Sequence, residues 1–182
     1  MITRASPSFI DVLHSDHPAP DRAKKMDLYA WLIGQWEMDV TTYEQNGAKH
    51  RGSGEIHAGW VLEGRAIQDV WMIPPRAERG PDAPVLPVAG NWYGTTLRVY
   101  DPGLDAWHIM WSDPATQTYT RQIGRARGKD IVQVGKLESG AILRWTFTEI
   151  TSNSFHWLGE HSADGGTTWW LQVDIRSRRV VV

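Results

Sequence analysis

Between residues 35 and 178 the chain is a succession of short segments in which apolar and polar residues alternate, separated by hairpin-length turn signals. A period of two marks half-buried strands, and few architectures accept about ten of them in a row. No stretch of the sequence repeats with a period of ~20–50 residues, which argues against a propeller. Sequential hairpins favour an up-and-down antiparallel barrel, because closure removes the exposed edges. The predicted fold class is therefore all-β: a barrel of about ten strands with one N-terminal helix.

The way into the barrel is Leu32-Ile33-Gly34-Gln35-Trp36-Glu37-Met38-Asp39-Val40. A helix is predicted over 22–33, capped by Asp21, with Met26, Tyr29 or Ala30, and Ile33 at helical spacing. It closes one end of the barrel or lies on the outer wall. Gly34 stands where a helix C-cap wants glycine. Beyond it Trp36, Met38 and Val40 share one face and Glu37, Asp39 and Thr41 the other. Further strands are predicted over 35–44, 50–62, 65–74, 91–100, 105–112, 116–126 and 129–137. Three more follow, around Leu143–Phe147, around Phe155–Trp157 and over 167–178. Residues 75–90 hold four prolines and charges of both signs, a functional or disordered loop at a barrel rim. Residues 1–20 read as an irregular arm packed by Phe9, Ile10 and Leu13, and 21–182 as one domain, long enough for a sizeable core.

Composition excludes several functions. The net charge of −2, with acids and bases interspersed, gives no footprint for nucleic acid. Without cysteine there is no disulfide framework and no thiolate chemistry. No apolar run approaches the ~18 residues of a membrane helix, and Met1–Asp11 does not read as a signal peptide. A soluble, cytoplasmic protein is expected. The 11 Trp against 3 Phe make much of the core indole, and a buried indole N–H wants a partner.

Gly34-Gln35-Trp36 resembles the Gly-x-Trp signature that opens the first strand of calycin barrels, the lipocalins and fatty-acid-binding proteins among them. Two further segments, Leu62 to Trp71 and Gly94 to Trp107, resemble a bacterial family of calycin-like barrels of unestablished function, over about residues 28–178. That family carries no catalytic assignment to transfer. The chain is also distantly similar in type to the nitrobindins, whose haem is held by a histidine late in the chain. Here Trp169 to Arg176 contains no histidine, so no haem and no other cofactor is expected. In lipocalin-type barrels a late arginine often covers the opening Trp, and Arg176 is the candidate to stack on Trp36.

The chemistry-bearing residues are sparse. His14, His17, His50, His57, His108, His156 and His161 show no metal-site spacing. There is no nucleophile elbow and no phosphate loop, and Glu37 with Asp39 reads as a solvated face. Ser162 to Trp169 fits the Asp-box pattern of sialidase propellers. It occurs once and is read as a hairpin stabiliser. If apolar faces point inward, Ile67, Asp69, Trp71 and Ile73 enter the barrel, as do Tyr119, Arg121 and Ile123. Arg98, His108, Arg144 and Gln172 enter instead if that parity is inverted. Asp69 and Arg121 are then charges on apolar faces, either a structural pair or polar anchors for a ligand. The predicted ligand site is Asp69, Trp71, Trp107, Trp111, Tyr119, Arg121, Trp145 and Trp157, holding a mostly apolar or aromatic molecule, an acid if Arg121 anchors it. Two other functions fit the same pattern. One is an enzyme such as an isomerase, cyclase or haem-type catalyst, with Asp69 and Tyr119 or His108 as acid and base. The other is a homodimer with a self-filled core and Trp92 and Trp170 at its interface.

Overall fold

A computed structural model of the chain describes residues 6–80 and 91–181. A short helix α1 (Phe9–Leu13) leads through a two-residue strand β1 (His14–Ser15) and a 3₁₀ turn (Pro20–Arg22) into helix α2 (Ala23–Ala30). Ten strands follow: β2 (Gly34–Tyr43), β3 (Lys49–Val61), β4 (Ala66–Ile73), β5 (Trp92–Asp101), β6 (Ala106–Asp113), β7 (Thr118–Arg127), β8 (Asp130–Lys136), β9 (Ile142–Thr148), β10 (Ser154–Ser162) and β11 (Trp170–Arg179). Each pairs antiparallel with its sequence neighbour, and β11 returns to β2, so the ten close into one up-and-down barrel. β1 adds two residues to the end of β3.

The predicted strands are all present, and the predicted helix closes one end of the barrel. Met26, Tyr29 and Leu32 are wholly buried beneath it. Its start differs from the expectation. Asp21 caps nothing and instead accepts from the Arg65 guanidinium at 3.0 Å, while the 3₁₀ turn supplies the first turn. The arm also differs: Phe9 and Ile10 are exposed on a helix capped by Ser8 and Asp11. Most of the predicted 75–90 loop lies outside the described residues. The Arg79 guanidinium donates to the carbonyls of Ile73 and Trp92, tying together the strand ends on either side of it.

The Gly34-x-Trp36 motif has a physical reason. Gly34 sits at φ +121°, and a Cβ there would meet the Arg179 guanidinium at 2.6 Å. That guanidinium passes over the glycine, donates to the carbonyls of Trp31 and Ile33 at the helix end, and stacks on the Trp36 ring at 4.1 Å. Arg179, not Arg176, covers the opening Trp. The strand register places Arg176 outside, where it pairs with Glu149. The Trp36 indole donates to Leu32 O at 2.8 Å, so helix, glycine, Trp and arginine form one lock.

Candidate ligand-binding cavity

At the end of the barrel opposite α2 the interior is not filled. A cavity of about 320 Å³ lies there, lined chiefly by Trp71, Trp92, Trp111, Trp145 and Trp157. Four of these indoles form a closed ring: Trp92–Trp111 6.1 Å, Trp111–Trp145 6.2 Å, Trp145–Trp157 5.6 Å and Trp157–Trp92 6.2 Å between centroids. Trp71 packs on Trp157 at 5.6 Å. The tilted and edge-to-face angles are those that ring quadrupoles favour. Backbone makes room for them: a Cβ on Gly94 would lie 2.4 Å from the Trp111 ring, so only glycine lets that indole lie against β5.

The mouth is formed by strand ends, with Asp113, Thr116, Thr118, Leu137, His161 and Gln172 around it. Gln172 arrives by a β-bulge. Gly159 pairs with Val173 and Glu160 with Leu171, leaving Gln172 as the extra residue, turned toward the mouth. The Asp113 side chain is buried; its Oδ1 accepts from the backbone N–H groups of Ala115 and Thr116, and its Oδ2 has no partner among the described residues. Thr120 Oγ1, also in the lining, is buried and unpartnered.

The floor is polar. Asp69 and Arg98, both buried, form an ion pair across the neighbouring strands β4 and β5. The Arg98 guanidinium also lies 5.4 Å from the Tyr29 ring centroid and 5.8 Å from that of Phe147, so aromatic faces support its other side. Burial pushes the Asp69 carboxyl up from its ordinary value, opposed by the Arg98 charge and by Thr96 and Trp71 beside it. Burial likewise raises the Tyr29 phenol, so it stays protonated.

Of the predicted site residues, Trp71, Trp111, Trp145 and Trp157 line the cavity, with Asp69 beneath it. Trp107 is inward but at the other end, 4.9 Å from Tyr29 under the helix. Tyr119 and Arg121 are corrections. β7 turns Thr120, Gln122 and Gly124 inward, leaving both on the outer wall, with Tyr119 59 % exposed. Ile123 shares that outer face, so its apolar character pointed the parity the wrong way. Of the residues set aside for inverted parity, Arg98 is inside. His108 faces out, 3.0 Å from Asp101, and Arg144 lies between Glu160 and the Trp169 ring. Trp92, expected on the outer face, lines the cavity. Asp113 was missed, although it extends the Trp107, Ile109, Trp111 alternation by one step. The Asp-box is a turn device: Asp164 accepts from Ser162, Thr167 and Thr168, and Trp169 donates to Gly166 O. Among the described residues no group of three or more His, Cys, Asp or Glu could hold a metal ion, and no helix is long and apolar enough to cross a membrane.

A deep, aromatic, mostly apolar cavity inside a closed barrel defines the class: an up-and-down antiparallel β-barrel whose interior is open at one end. Solved structures share this fold. Rv2717c from M. tuberculosis superposes with a TM-score of 0.57 at 11% identity, over 90% of this chain and 99% of that one. The S-type phycobiliprotein lyase CPES from Guillardia theta gives a TM-score of 0.57 at 8% identity, over 91% and 99%. No protein-family model matches the sequence, and no curated protein resembles it.

Proposed function

We propose that this protein binds a small, mostly apolar or aromatic molecule in the Trp-lined cavity. The observation that carries this is the closed ring of four indoles around an unfilled space, with unpartnered polar atoms in its wall. A self-filled core would leave no such space. A solved barrel of the same fold is a phycobiliprotein lyase by name, which is compatible with a barrel interior that handles small molecules. The acid–base set considered for an enzyme is not assembled, since Asp69 is inside and Tyr119 and His108 are outside. No haem is proposed, because β11 carries no histidine. Native mass spectrometry of purified protein, with a tryptophan-fluorescence titration against a panel of aromatic ligands, tests the reading. A co-purified small mass or saturable quenching is expected. Quenching that Trp145→Phe alters and Trp107→Phe does not would place the ligand at the open end. Neither a bound mass nor saturation with any ligand would overturn it.

A further inference from the structure

The charges of this cavity do not balance. Among the described residues that line it, only Arg98, Asp113 and His161 are ionisable. Arg98 is neutralised by Asp69. Asp113 is left over. Its side chain has no solvent exposure, and backbone N–H groups of Ala115 and Thr116 occupy Oδ1 at 2.8 and 3.2 Å. Oδ2 accepts from no group among the described residues. A buried carboxylate oxygen without a partner is unfavourable by itself. It becomes favourable when a donor or a cation arrives.

The aromatic walls point to the same sign. An indole face carries negative potential and attracts cations, most strongly where water is excluded. Trp111 is two residues before Asp113 on the inward face of β6 and belongs to the closed indole ring. We propose that the cavity takes an organic cation, a protonated or quaternary amine with an apolar or aromatic body. Asp113 faces the charged group and the indoles surround the rest. This rests on the cavity being a ligand site and adds the charge of the ligand. An acid would meet Asp113, and the one guanidinium of the described lining, Arg98, already has its charge neutralised by Asp69 although its Nε makes no hydrogen bond. A metal ion would find too few donors, since no cluster of three or more ligating side chains exists among the described residues.

Isothermal titration calorimetry with three probes tests the proposal: 4-(trimethylammonio)phenol, its uncharged isostere 4-tert-butylphenol, and 4-hydroxyphenylacetate. The cation is expected to bind about tenfold or more tightly than the isostere, the scale of a desolvated cation–π contact, and the acid most weakly. Asp113→Asn keeps an oxygen for the Ala115 and Thr116 N–H groups. It should remove most of the preference while leaving 4-tert-butylphenol unchanged. If the variant does not fold by circular dichroism, the wild-type ratio decides alone. An isostere that binds as well as the cation overturns the proposal and leaves the cavity reading standing. A preference that survives intact in the Asn variant overturns the role of Asp113. No binding by any of the three overturns the cation proposal, and the cavity reading falls with it only where native mass spectrometry also finds no bound mass.

Discussion

The two ends of this barrel are built from the same residue type to opposite purposes. Under α2, Trp36 and Trp107 pack with Tyr29, Phe147 and Phe155 at centroid distances of 4.9–6.3 Å, all of them buried. The Trp31 and Trp36 indole N–H groups donate to the carbonyls of Leu28 in the helix and Leu32 just after it. At the other end the indoles touch one another at tilted and edge-to-face angles around a void. One end exchanges exposed indole for packing, and the other holds its aromatic surface ready for a guest. Aromatic content alone therefore does not reveal function. Whether the rings enclose volume does.

The sharpest way to break this comparison is to truncate one indole at each end. Trp36→Ala removes a wholly buried side chain and the ring under Arg179. It should cost about 3–5 kcal/mol by guanidinium denaturation. Trp145→Ala, on the cavity wall, should cost less than half of that, because its ring already faces unfilled space. Equal losses would mean the open end is packed in solution.

The Asp69–Arg98 pair separates the two ends and comes next. Arg98→Met strands a buried carboxylate and should destabilise by about 3–5 kcal/mol. Asp69→Leu with Arg98→Met should recover most of that loss, since apolar replacement of a whole buried pair is often neutral. A double variant as unstable as the single would show that the pair is held by more than the charge it neutralises.

Much of this was legible in the sequence. Period-two alternation and hairpin turns gave strands β2–β11, and Gly34-x-Trp36 gave the entry and the capped end. The cavity was half legible. Trp71, Trp111, Trp145 and Trp157 lie on apolar inward faces, where alternation works. It fails on β5 and β7, whose inward faces carry Thr96, Arg98, Thr120 and Gln122 while Leu97 and Ile123 face out. A barrel with a polar layer inside and apolar residues outside inverts the rule that places apolar faces inward. Arg98 was reached only under inverted parity, and buried Asp69 requires such a partner. Gln172 depends on a bulge that no local residue announces.

A smaller effect concerns what holds the open end together. The β10–β11 hairpin there is fixed by Asp164, whose hydrogen bonds from Thr168 and Ser162 lower its pKa to about 2. The unfolded chain binds that proton more readily. Stability from Asp164 is therefore fully present above its unfolded pKa of ~3.9 and lost as pH falls through about 2. The stability difference between wild type and Asp164→Asn should be constant above pH ~5 and shrink from there to pH ~2. A difference that stays flat across this window would remove the turn from the account of the open end.

The smallest expected effect is also informative. Arg121 lies on the outer wall of β7, with its side chain exposed. Arg121→Ala should change stability by no more than about 0.5 kcal/mol, the range of ordinary surface substitutions. It should leave the affinities of cationic, neutral and acidic probes all unaltered, where Asp113→Asn alters the cation alone. The two residues test one geometric statement from opposite sides. If β7 turned its other face inward, Arg121 would be the dominant charge of the cavity and acids would be its ligands. Loss of acid binding in Arg121→Ala would show that parity to be the true one. Indifference to Arg121 together with sensitivity to Asp113 would fix both the face that lines the cavity and the sign of the charge it accepts.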